Sequence, residues 1–268
     1  MLYSRVFSFF INFVLSFKPY YDTISKKKGI EFMLYENILF DLYGTLADIR
    51  TDETMPFVWR TTADLYKRYG AEYSVEELKK SFYRSINGIL SQKDENFEVD
   101  ILKVFEELFV IKGVKASKET LFYTAYEFRK ASTLFLSLYD GVKEGLDKLK
   151  KDGKRLFLLS NAQASFTATE LKTLGIYEVF DDIFISSDYG VKKPDYKFFE
   201  IPFKKHGLKK EKSIMVGNDG TADILGAKNF GIKCLYVKTE ISPEEAVPPA
   251  DYCILKYDFS KILKILSL

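Results

Sequence analysis

The chain has 268 residues, of which 47% are hydrophobic, enough for one large domain or for a core plus a second small one. Its 40 basic and 38 acidic residues leave a formal charge of +2, which gives no reason to expect nucleic acid as the main partner. One histidine and two cysteines outside any C-x-x-C pair weigh against serine–histidine and cysteine–histidine hydrolases and against zinc or redox motifs.

The first stretch stands apart. Residues 6–17 form an apolar run after Arg5, too short to span a membrane comfortably and followed by Lys18 and Pro19 rather than by a small-residue cleavage site. Two readings apply: a weak anchor, or a misassigned start. Lys28-Gly29 is encoded by AAR-GGN, which can spell a ribosome-binding purine run a few codons before Met33. We take residues 1–32 as an N-terminal extension of this kind and expect no stable membrane insertion.

From Asn37 onward, short apolar runs alternate with helix-period segments. The runs are Asn37–Phe40, Arg155–Leu159, Asp182–Ser186, Ser213–Val216, Lys233–Val237 and Asp251–Leu255. Most are too continuously apolar for a half-exposed sheet and read as strands buried on both faces. Helices are predicted over Val142–Lys151, Thr167–Thr173, Asp195–His206 and Thr221–Phe230, each ending near a glycine: Gly153, Gly175, Gly207 and Gly231. Such alternation implies right-handed βαβ units and a parallel sheet. Between Asp52 and Leu138 the pattern is almost wholly helical, with a capping box at Ser74-Val-Glu-Glu77 and a long helix predicted from Glu119 to Leu136 behind Ser117. Cys234 and Cys253 fall inside strand-like runs and read as buried free thiols, fitting a reducing, cytoplasmic setting. His206, at a helix end, reads as a C-terminal cap.

Ligands of open parallel sheets bind at the carboxyl ends of strands, so the residues after each strand matter most. These are Asp41-Leu-Tyr-Gly-Thr-Leu46, Ser160-Asn161-Ala, Gly190-Val-Lys-Lys193-Pro194-Asp, and Gly217-Asn-Asp219-Gly-Thr-Ala-Asp223. Singly, each is an ordinary turn, cap or surface residue. Together they place a carboxylate, a hydroxyl, an ammonium and an acidic pair on one rim. In order and spacing they resemble the four motifs of the haloacid dehalogenase superfamily, over residues 37–256, with the helical block matching that family's cap between the first two motifs.

The resemblance implies an α/β fold: a Rossmann-like, doubly wound parallel core (33–50 and 139–268) and a small all-helical cap (51–138). It implies Asp41 as nucleophile, with Tyr43, Ser160 and Lys193 completing the catalytic set. Thr45, Ser160 and the amide of Asn161 would hold the substrate. Magnesium would be bound by Asp41, the Tyr43 carbonyl and Asp219, with Asp223 supporting it directly or through water. Two positions depart from the family's phosphatases. Tyr43 stands where they carry a second Asp as general acid and base, an arrangement similar to the family's 2-haloacid dehalogenases. Asn218-Asp219 replaces the expected Gly-Asp acid at the metal site. The expected activity is a magnesium-dependent phosphatase acting on a small phosphate ester, as a monomer or homodimer. The alternatives are a 2-haloacid dehalogenase and a low-turnover binding or regulatory module. Arg60 and Arg129 are weighed as substrate-anion contacts against surface salt bridges, and Trp59 as helix-packing core.

Overall fold

The computed structural model describes residues 35–244 and 246–267; the apolar run 6–17 and the start at Met33 lie outside the described residues. Among the described residues there are eight strands: β1 (Asn37–Phe40), β2 (Ala47–Thr51), β3 (Thr133–Leu138), β4 (Arg155–Ser160), β5 (Asp182–Ile185), β6 (Ser213–Gly217), β7 (Lys233–Val237) and β8 (Tyr252–Ile254). Six form one sheet, in the order β5-β4-β1-β6-β7-β8, and every pairing in it is parallel. Because side chains alternate across a strand, each central strand feeds two cores. Ile38, Phe40, Leu156, Leu158, Ile214 and Val216 pack on one face, while Leu39, Phe157, Leu159 and Met215 pack on the other. The first face is covered by helices α5 (Val142–Lys151) and α10 (Phe259–Leu266), the second by α8 (Tyr196–His206) and α9 (Gly226–Phe230). The chain runs from β1 outward to β4 and β5, then returns to β6 on the other side of β1. That reversal opens a crevice at the tip of β1, the usual ligand position in such sheets.

Between β2 and β3 lie four helices: α1 (Pro56–Arg68), α2 (Val75–Leu90), α3 (Ile101–Ile111) and α4 (Lys118–Ser132). Ser74, Asp100 and Ser117 cap the last three through their side-chain oxygens. This insert has its own aromatic core, with Trp59 edge-on to Phe82 (5.2 Å) and to Phe128 (5.7 Å). Trp59 is thus a packing residue, and its indole N–H donates to the Glu53 carbonyl (2.7 Å). Phe128→Ala removes a ring packed against Trp59, Phe82 and Phe105 in this core, and we expect it to cost about 3–5 kcal/mol of unfolding free energy in urea titrations. A change under about 1 kcal/mol would mean that the insert refills the space.

Three expectations need correction. The helix predicted to run to Leu136 ends at Ser132, and Thr133–Leu138 instead pairs antiparallel with Ala47–Thr51. The predicted helix 221–230 is split into a π-helical turn over Gly220–Leu225, following β6, and α9. Cys253 is exposed, whereas Cys234 is buried as predicted. His206 does end α8, but its ring Nε2 pairs with Asp182 Oδ2 (2.6 Å) at the start of β5 rather than with its own helix. The four predicted stop glycines all have positive φ. No helix of the described residues is long and apolar enough to cross a membrane.

Candidate active site

Asp41 leaves the tip of β1, its N–H still bonded to the Val216 carbonyl of β6 (3.0 Å). The chain then winds one wide turn, Ala47 N–H donating to the Leu42 carbonyl (2.9 Å), so that Tyr43, Gly44 and Thr45 project over the sheet edge. Gly44 sits at φ +83°, and a side chain there would collide with the amide of Asn218. Glycine is needed at this point for both conformation and space.

Four strand ends converge on Asp41. Its Oδ1 accepts from Ser160 Oγ (3.0 Å), at the end of β4, and from Lys193 Nζ (2.8 Å). Among the described residues its Oδ2 has only the Thr45 hydroxyl, at 3.5 Å. Lys193 spends its three N–H bonds on Asp41, the Leu159 carbonyl (2.7 Å) and Asp223 Oδ1 (2.7 Å). Asn161 holds the Lys193 backbone from both sides, its Oδ1 accepting from Lys193 N (2.8 Å) and its Nδ2 donating to Lys193 O (2.9 Å). These side-chain bonds fix Lys193 in place.

Lys193 and Asp223 are 2% and 1% exposed, so their charges are settled by each other rather than by water. Burial opposes the ammonium charge, but Asp223 and Asp41 outweigh it and hold the Lys193 pKa above its ordinary value. Burial raises the Asp223 carboxyl, with the Asp41 charge adding to the rise and Lys193 resisting it. Two carboxylates sharing one ammonium leave a negative pocket.

The two acids of the last motif are held in different ways. Asp219 Oδ1 caps the π-helical turn, accepting from Thr221 N (2.8 Å) and Ala222 N (2.7 Å). Asp223 is the acid that turns inward, its Oδ2 fixed by the Asp219 N–H (2.9 Å). Asn218, not singled out from the sequence as a site residue, completes the rim, its Oδ1 accepting from Thr45 (3.3 Å). The resulting cavity is about 200 Å³ and is lined by Asp41, Tyr43, Ser160, Lys193, Asn218 and Asp223, together with Asn161 and Asp219.

Tyr43 does not offer its hydroxyl to Asp41. The phenol donates to Glu170 on α6 (Ala164–Thr173), and Glu170 is also paired with Arg129 Nε (2.7 Å) on α4. Burial, then the Glu170 charge, push the Tyr43 pKa far above its usual value. Arg129, weighed as a substrate contact, is therefore committed to Glu170, while Arg60 is exposed on α1.

Among the described residues no three His, Cys, Asp or Glu side chains gather as a ready metal cage. Magnesium does not need one, since it binds through one or two carboxylates plus waters and substrate phosphate. The hard oxygen donors of Asp41, Asp223, Asp219 and Asn218 around a negative cavity fit such an ion.

Comparison with known proteins places the chain in a family. The sequence profile of the haloacid dehalogenase-like hydrolases matches residues 38–237. The glyceraldehyde 3-phosphate phosphatase of Methanothermobacter thermautotrophicus is 28% identical over 211 residues, covering 78% of this chain and 88% of that protein. Among solved structures, a 2-haloacid dehalogenase from Pseudomonas syringae pv. Tomato aligns with a TM-score of 0.59 at 20% identity, covering 87% of this chain and 98% of the other. A phosphatase of the same superfamily from Thermococcus onnurineus aligns at 0.55 and 22%, covering 86% and 97%. At these identities the structural matches speak for the fold alone. With its motifs at the strand tips and its profile match over most of the length, this chain belongs to the haloacid dehalogenase-like hydrolases.

Proposed function

We propose that the protein hydrolyses the phosphate monoester of a small metabolite through an aspartyl-phosphate on Asp41. The observation that carries this reading is the asymmetric bonding of Asp41, with Oδ1 pinned by Ser160 and Lys193 and Oδ2 left free to attack. The named phosphatase among its relatives supports it.

Asp41 Oδ2 bonds to phosphorus as the ester P–O bond breaks, and the departing alkoxide takes its proton from water. Water then attacks the aspartyl-phosphate, cleaving its O–P bond and restoring the carboxylate. Ser160 and Lys193 hold the nucleophile in place and donate hydrogen bonds where negative charge builds. Asp41, the Tyr43 carbonyl, Asp223 and Asn218 would hold magnesium, with Asp219 lining the same rim; the ion's contribution is to neutralise phosphoryl charge. The helical insert would act as a cap that selects the substrate. A cavity of about 200 Å³ suits a small phosphate ester.

The orientation of Tyr43 favours one further reading. With no acid poised for a leaving group, displacement of halide from a short 2-haloacid, which needs no proton, is the alternative. The test is phosphate release from an aryl phosphate by the full chain, with magnesium and with chelator. Magnesium-dependent release is expected. No release, with chloride freed from 2-chloropropionate instead, would replace the phosphatase reading by the dehalogenase one.

A further inference from the structure

Glu170 belongs to none of the sequence motifs, yet it stands where three parts of the molecule meet. Tyr43 comes from the loop that carries the nucleophile, Glu170 from core helix α6, and Arg129 from α4, one turn before the insert returns to the core through β3. The Tyr43 hydroxyl donates to Glu170 Oε2 and Arg129 Nε donates to Glu170 Oε1, so each carboxylate oxygen has its own donor. The Arg129 guanidinium also lies over the rings of Tyr43 (5.7 Å) and Phe166 (5.2 Å). Side chains of Arg129 and Glu170 are only 15% and 10% exposed, so water competes weakly for either bond.

We propose that Glu170 is a positioning residue of the Asp41 site, turning the Tyr43 side chain away from the nucleophile and tying the catalytic loop to the last helix of the insert. The residue type follows from the geometry. A carboxylate accepts from both donors on two oxygens; glutamine could keep both partners only by reversing the Tyr43 bond, its amide N–H donating to the phenol oxygen, and would lose the charge that holds Arg129. Aspartate is one methylene shorter and loses one of the two contacts. Tyr43 then works as a strut rather than as an acid or base.

The part of this inference that concerns turnover rests on the proposed phosphatase reading; the tie itself does not. The experiment is a cycle of Tyr43→Phe, Glu170→Met and the double variant, read in thermal unfolding and in aryl-phosphate kinetics. In unfolding, the double variant should fall no further than the worse single, because both remove the same bond. In kinetics, each single should lower kcat about tenfold with KM little changed, again without additivity. Fully additive losses in unfolding would overturn the tie, even in a preparation with no phosphatase activity. Loss of one limb of the kcat–pH profile in Tyr43→Phe but not in Glu170→Met would make the phenol itself the acid or base, and would overturn the strut.

Discussion

Asp41→Asn is expected to lower phosphate-ester turnover by about 10⁴-fold or more while leaving the protein folded. An amide oxygen is a poor nucleophile toward phosphorus, and nothing else at the rim can replace it, since Asp223 is bound by Lys193 and the Asp219 N–H. Stability should survive for an electrostatic reason. Asp41 and Asp223 now share one buried ammonium, and removing one of the two negative charges leaves a simple Lys193–Asp223 pair. Asn Oδ1 can still accept from Ser160 and Lys193. Unfolding curves of the variant should therefore match the parent or lie slightly above it. Turnover within tenfold of the parent would remove Asp41 from the nucleophile's place. A large loss of stability would show that its charge is structural.

Much of this site was legible because strand ends are legible. Runs buried on both faces, such as Asn37–Phe40 and Ser213–Gly217, carry a signal that survives without knowledge of their neighbours, and the residues after them must then share a rim. The β2–β3 ribbon was not legible. Thr133–Leu138 leaves Leu134 and Phe135 exposed and prolongs the helix-period pattern of α4, so its pairing with Ala47–Thr51 has no local signature. The backbone distinguishes how Asp219 and Asp223 are held, Asp219 capping the turn and Asp223 reaching Lys193. An Asp followed by Gly-Thr at a helix start is a capping pattern, and that signal was present in the sequence. Asn218 carries no charge to mark it as a site residue, and its Thr45 partner is 173 residues away. Glu170 sits mid-helix with no motif around it; its partners are 41 and 127 residues away, and only the fold brings them together.

Tyr43→Asp is expected to raise kcat for phosphate esters by about 10- to 100-fold. A positioned general acid contributes about 10²–10⁴-fold in such reactions, and the lower end applies here because a new carboxylate would join two others in a negative pocket. That crowding raises its pKa, which favours the protonated form needed to supply the leaving group and weakens it as the base for water. The substituted side chain is too short to reach Glu170, so the Glu170–Arg129 pair would persist while the strut to the loop is lost. The buried ring would also go, at a cost of about 1–3 kcal/mol in stability. The discriminating measurement varies the leaving group. If protonation is what the parent lacks, the gain should be large for alkyl phosphates, whose alkoxides leave reluctantly, and small for nitrophenyl phosphate, whose phenolate leaves unaided. An equal gain on both would point to a rearranged loop rather than to restored acid catalysis. No gain on either, in a protein that still binds magnesium and unfolds cooperatively, would mean that position 43 faces away from the reacting oxygen whatever side chain it carries.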